Sequence, residues 1–203
     1  MIALKYIFHS HRNAETLFLY DSRYINLWNE IINTIEGISD TDLISSFNSN
    51  THGSKKSISK DINSLMDERL SKLGWNRESP IFNDSEYKNE RRWRLDFAKE
   101  EISVEVAFNH GEATAWNLIK PVLAGELNHV EKDIQTSAGV IVTATDAMKK
   151  AGNFDSAVGS FEKFLRYLKP LSTILTIPIM IIGLEPPTTF RINHETKSVE
   201  SIL

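Results

Sequence analysis

Arg94-Leu95-Asp96-Phe97-Ala98-Lys99-Glu100-Glu101-Ile102-Ser103-Val104-Glu105-Val106-Ala107-Phe108 reads as two strands and the turn between them. Its second half alternates strictly. Ile102, Val104, Val106 and Phe108 share one face, and Ser103, Glu105 and Ala107 share the other, the period of an extended strand. Arg94-Leu95-Asp96-Phe97 is a short extended run, and Ala98-Lys99-Glu100-Glu101 can turn the chain between the two. Such a hairpin brings Asp96 and Glu105, nine positions apart, to one end of a sheet. Two carboxylates there can hold a divalent cation, which lowers the pKa of a bound water and offsets charge on an attacked phosphodiester. The same pair is also compatible with a solvated hairpin, because the chain carries 27 Asp and Glu.

Around this hairpin the chain alternates between helical and extended patterns. Tyr24 to Ile35 and Asp61 to Leu73 place apolar residues at helical spacing, and Gly74 follows the second where a left-handed C-terminal residue belongs. From Trp75 to about Arg91 the sequence is polar and reads as irregular, and Ser45 to Ser54 reads as a surface loop. Downstream, Trp116 to Ile134 reads as a helix, Gly139 to Thr143 as a strand, Ser156 to Leu168 as a helix and Ile177 to Leu184 as a strand. This order predicts an α/β fold with a mixed central β-sheet flanked by helices. At 203 residues, residues 1–203 are expected to form a single domain.

Composition narrows the chemistry. The chain has no cysteine, which removes disulfides, thiolate nucleophiles and Cys-type zinc sites, so metal chemistry rests on carboxylates, histidines and carbonyls. Magnesium fits such ligands. His9, His11, His52, His129 and His194 show no zinc-type pairing. No apolar run is long enough to span a bilayer and Met1 to Lys5 lacks a signal-peptide pattern, so a soluble, intracellular protein is expected. A net charge of -4 does not announce a nucleic-acid binder. Local basic clusters do exist at Lys55-Lys56, Arg91-Arg92-Trp93-Arg94 and Lys149-Lys150.

Asp96-Phe97, followed at this distance by Glu105-Val106-Ala107-Phe108, resembles the active-site block of type II restriction endonucleases of the PD-(D/E)xK superfamily. It is similar to the block of the BglII/BstYI group of GATC-core cutters. Leu27-Trp28-Asn29-Glu30-Ile31, Glu68-Arg69-Leu70-Ser71-Lys72-Leu73-Gly74-Trp75 and the Ile177 to Leu184 strand have counterparts in the same order. The resemblance implies a homodimer in a bacterial or archaeal cytoplasm. It would enclose double-stranded DNA and cut a palindrome around GATC to leave a 5′ overhang. By position, Asp96 and Glu105 would bind the metal, with the carbonyl of Val106 completing the inner shell. Glu68 is a candidate additional acid, and equally an exposed helix residue. Where the superfamily has Lys and this group has Gln or Glu, this chain has Ala107. A methyl group cannot orient a water, which leaves three accounts: an inactivated form, another residue such as Glu68 or His110 in its place, or a chain that binds DNA without cutting it. A DNA-repair nuclease of the same superfamily is a further alternative.

Two segments are expected to face the DNA. Asn109 and His110 follow the active strand directly, although Asn-His-Gly also composes a turn. Lys149, Lys150, Asn153 and Ser156 precede or open the second downstream helix, where lysines meet phosphate and Ser or Asn reads base edges. Asp155 or Ser156 could equally cap that helix. Arg94, with Arg91 and Arg92, is a candidate backbone contact or a partner for neighbouring acids. Leu118, Ile119, Val122, Leu123 and Leu127 of the Trp116 to Ile134 segment are expected in the core, with part available to a dimer interface.

Overall fold

The computed structural model describes residues 2–49, 57–127 and 130–202. The first half of the chain contains β1 (Tyr6–His11), α1 (Ala14–Tyr20), α2 (Ile25–Glu36), α3 (Asp40–Ser49) and α4 (Ser59–Lys72). Next come β2 (Asn76–Pro80), β3 (Arg94–Lys99), β4 (Ile102–Val106) and α5 (Thr114–Gly125). The chain then forms β5 (Ala138–Ala144), α6 (Asp146–Ala151), α7 (Phe161–Leu171) and β6 (Ile179–Leu184), and closes with β7 (Phe190–Ile192) and β8 (Val199–Ser201). A six-stranded sheet runs in the order β1-β6-β5-β4-β3-β2. β5 is parallel to β4 and β6, whereas β1, β3 and β2 add antiparallel towards the edges. The sheet is therefore mixed, as the order of patterns predicts. Among the described residues no helix is long and apolar enough to cross a membrane.

β5 and β6 are buried along their whole length, as parallel strands covered on both faces must be. Alternation divides their side chains between two layers. Val140, Val142, Met180 and Ile182 pack with Ile31, Ile35, Leu43, Ile62 and Met66 of α2, α3 and α4. Ile141, Ile179 and Ile181 pack with Leu118 of α5 and Phe161, Phe164 and Leu168 of α7. In β4 the same alternation sends Ile102 and Val104 to the first layer and turns Ser103 and Glu105 towards the second. A one-residue slip would exchange the layers, and each fully buried side chain is worth about 2 kcal/mol, so the register is strongly specified.

Helix α5 lies close on the sheet because residue 139 is glycine. A Cβ there would come within 2.6 Å of Pro121 Cβ. Pro121 lies inside α5, so this contact sets the height of the helix and of its neighbour Lys120.

Several boundaries differ from the sequence expectations. The segment expected to be helical from Trp116 to Ile134 is helical only as Thr114–Gly125. Leu127 then takes a left-handed conformation (φ 60), and Val130 and Ile134 return to pack near Ile81, Phe82 and Leu95. Helix α7 starts at Phe161, not Ser156, because Ser160 Oγ caps it by accepting the Lys163 N–H. The Asp155 carboxylate instead accepts the Ala157 N–H within the preceding loop. The stretch after Trp75, read as irregular, contains β2, an edge strand of poor strand formers held by its pairing to β3. Ser45 to Ser49 belong to α3 rather than a loop. The rest of that loop, with His52, Lys55, Lys56 and also His129, lies outside the described residues.

Candidate active site

The hairpin forms with Phe97 opposite Val104, Ala98 opposite Ser103 and Lys99 opposite Ile102. Glu100, at φ 47, makes the turn. One further step of this register would put Asp96 across from Glu105. There the ladder ends, and Asp96 Oδ2 accepts the Val106 N–H at 2.7 Å. On the other side of β3, the pairing with β2 omits Glu78 and Asp96. Glu78 sits at φ 46, a conformation that costs about 1–3 kcal/mol outside glycine and is typically retained where a site uses it. The Arg94 guanidinium holds this distortion by donating to the carbonyls of Glu78 and Lys88, each at 2.8 Å. Asp96 thus opens onto a cleft of about 260 Å³ lined by Asn63, Ser64, Asp67, Arg77, Glu78, Phe97 and Val106.

Glu105 lies behind Asp96 and is 2% exposed. Its Oε2 is ion-paired with Lys120 Nζ, and that ammonium also donates to the carbonyl of Arg94 at 2.9 Å. Its Oε1 is buried and has no hydrogen-bond partner among the described residues. Burial pushes the Glu105 carboxyl up to about 8, the charge of Asp96 adding to the effect and Lys120 opposing it. Burial also raises Asp96, against Lys120 and the Val106 N–H, with Glu78 adding to the rise. Two adjacent acids held above their ordinary range, one with a bare buried oxygen, form a donor set that a divalent cation fits. Among the described residues no group of three or more His, Cys, Asp or Glu side chains could hold a metal, and the acids brought together here are the two carboxylates Asp96 and Glu105. The carbonyl of Val106 accepts a 3.2 Å bond from the Phe108 N–H and keeps a second lone pair.

Glu68 does not join this cleft. It is exposed and paired with Lys72 at 2.6 Å. One residue, or about 100° of helix, separates it from Asp67, which lines the cleft and is ion-paired with Arg77. Ala107 does not line the cleft either. Its methyl is buried among Leu118, Ile141 and Phe161, on the strand face it shares with Glu105. The apolar stripe of its helix masks Lys120 in the sequence, where the available signal is a lone lysine between Leu118, Ile119, Pro121 and Val122.

The two segments expected to face DNA come together. Gly111 N–H donates to Ala157 O at 2.6 Å, Gly159 N–H donates to Asn109 O at 3.2 Å, and His110 bridges Val158. Asn109 and His110 are exposed, with Asn109 Oδ1 accepting from Asn117 and His110 Nδ1 accepting the Glu112 N–H. Ser156 and Lys150 are exposed as well. Lys149 instead turns inward and donates to the carbonyls of Ser156 and Val158, at 3.2 and 2.5 Å, which braces the loop before α7. Asn153 is buried at φ 54. The half-buried Arg94 guanidinium donates to the two carbonyls named above, while Arg91 and Arg92 are exposed.

The model of the family Restriction endonuclease BglII/BglIII matches residues 6–184. Among solved structures, the chain resembles restriction endonuclease BglII complexed with a DNA 16-mer, with a TM-score of 0.65 and 17% identity over 89% of this chain and 76% of that one. It also resembles free BglII, with a TM-score of 0.53 and 16% identity over 97% and 91%. At these identities the likeness shows the fold. No curated protein sequence matches the chain.

Proposed function

The chain belongs to the BglII/BglIII family of restriction endonucleases, and on that premise we propose that Asp96 and Glu105 are the ligands of a magnesium ion with which it cuts both strands of a palindrome. As a member of this family it is a site-specific deoxyribonuclease, and restriction endonucleases generally use a divalent metal. The observation that carries the assignment is the bare, buried Oε1 of Glu105 behind Asp96, the carboxylate that lines the cleft. Bound there with the Val106 carbonyl, the ion would supply an activated water and offset charge on the attacked phosphate. Asp96 and Glu105 orient it, and their burial in a region of low dielectric strengthens every charge interaction it makes.

The finer reading is a homodimer acting on a site that contains GATC and leaving 5′ overhangs, with residues 1–203 as one domain. The clamped loops carrying Asn109, His110 and Ser156 offer polar side chains to the DNA, with Lys150 nearby for phosphate. Lys149 and Asn153 serve by shaping the second loop rather than by reaching out. Arg94 serves the cleft by fixing Glu78. An overall charge of -4 means that DNA affinity rests on these local groups and is strongly salt-dependent. Ala107 favours a second reading, a chain that binds DNA without cutting it. Incubation of a GATC-containing duplex with magnesium separates the two: paired cuts support the endonuclease, and tight binding without cuts supports the silent module.

A further inference from the structure

We propose that Lys120 of α5 is the cationic positioning residue of this site and takes the place of the polar side chain lacking at position 107, directly after β4. The inference rests on reading Asp96 and Glu105 as the metal-binding pair. Positions 105 and 107 lie on one strand face, and that face is covered by α5. With alanine at 107 packed against Leu118, the cation comes from the covering helix. Lys120 is 8% exposed in a helix whose other buried residues include Leu118, Pro121 and Ala124. Withdrawing an ammonium from water to such a place is costly unless it is fully paired, and an apolar residue would serve packing better. The pairing is specific: Nζ joins the Arg94 carbonyl, two residues before Asp96, to Glu105 Oε2. One ammonium therefore ties β3 to β4 at the two acids and occupies one Glu105 oxygen, which leaves Oε1 alone to be presented. The Gly139–Pro121 approach fixes the helix at the height this requires.

The test compares the parent with Lys120→Gln, Lys120→Arg and Ala107→Gln. It measures single-turnover cleavage of a duplex with magnesium, binding of the same duplex in calcium, and magnesium affinity without DNA. Lys120→Gln keeps a donor beside Glu105 and is expected to lower cleavage at least 100-fold, to weaken magnesium binding about tenfold and to leave duplex affinity within threefold. Lys120→Arg should stay within tenfold of the parent rate. Ala107→Gln puts an amide into the apolar layer of Leu118, Ile141 and Phe161, so it should lower the melting temperature and should not raise cleavage. In a Glu105→Gln background the Lys120→Gln change should no longer alter magnesium affinity, because its effect runs through that carboxylate. Lys120→Gln that cuts like the parent and binds magnesium more tightly would reduce Lys120 to a counterion and overturn the proposal. A 100-fold gain from Ala107→Gln, or a parent that binds metal and duplex without cutting, would overturn it too. If Asp96→Asn and Glu105→Gln both leave magnesium affinity unchanged, the metal-site reading itself fails, an outcome distinct from a neutral Lys120.

Discussion

Raising the pH of the metal-free protein should destabilise it through Glu105. The Glu105 carboxyl is raised from the ordinary glutamate value of 4.5 to about 8, so the folded chain holds this proton more tightly than the unfolded chain. The stability it contributes is fully present below about 4.5 and is lost as pH rises through about 8. Asp96 is raised as well, which gives the same sign. At about 1.4 kcal/mol per tenfold change, the gap for Glu105 sets a ceiling of about 5 kcal/mol. Effective dielectrics in protein interiors exceed the dry limit, so about half, or roughly 2–3 kcal/mol, is the working figure. For a chain of this size that is about 5–10 °C in melting temperature. The assay is thermal unfolding in EDTA between about pH 5 and pH 8.5 for the parent and Glu105→Gln, which has no proton to lose. The parent should fall relative to the variant by this amount, and magnesium should recover the loss in the parent only. Melting curves that stay parallel across the range would refute the placement of Glu105 as a strained, buried acid.

Asp96→Asn removes a charged carboxylate that lines the cleft and accepts the Val106 N–H, so it should lower magnesium affinity at least tenfold in calorimetry while the melting temperature changes by less than about 3 °C. The free protein should sediment as a dimer and protect a palindromic site symmetrically, since a two-fold protein reads two-fold DNA. A monomer on DNA would contradict that.

What the sequence conveyed depended on whether a pattern was local. Strict alternation from Ile102 to Phe108 needs no partner to be recognised, and it carries the hairpin and the position of Glu105 with it. The apolar runs of β5 and β6 were legible for the same reason. The start of α7 was misread because Asp155 and Ser156 are as good caps by type as Ser160, and the choice is made by the loop that clamps Ala157 and Gly159 to Asn109 and Gly111. β2 was illegible because Asn76-Arg77-Glu78-Ser79-Pro80 has little strand propensity and exists through its pairing with β3. The choice of Asp67 over Glu68 is a matter of helix phase, which the sequence leaves open when both are acidic. Lys120 was hidden for a tertiary reason. Its partner lies 15 positions away on a strand, and only the close seating of α5 on Gly139 brings ammonium and carboxylate together.

Whether Asp96 and Glu105 hold the metal of a DNA-cutting site is decided by mapping the ends produced from a palindromic GATC-containing duplex in magnesium by the parent and by Asp96→Asn. The expected result is one staggered cut in each strand with a 5′ overhang for the parent and intact duplex for Asp96→Asn, with duplex binding in EDTA the same for both. Equal cutting by both proteins, or intact duplex with a folded, metal-loaded and DNA-bound parent, would contradict it.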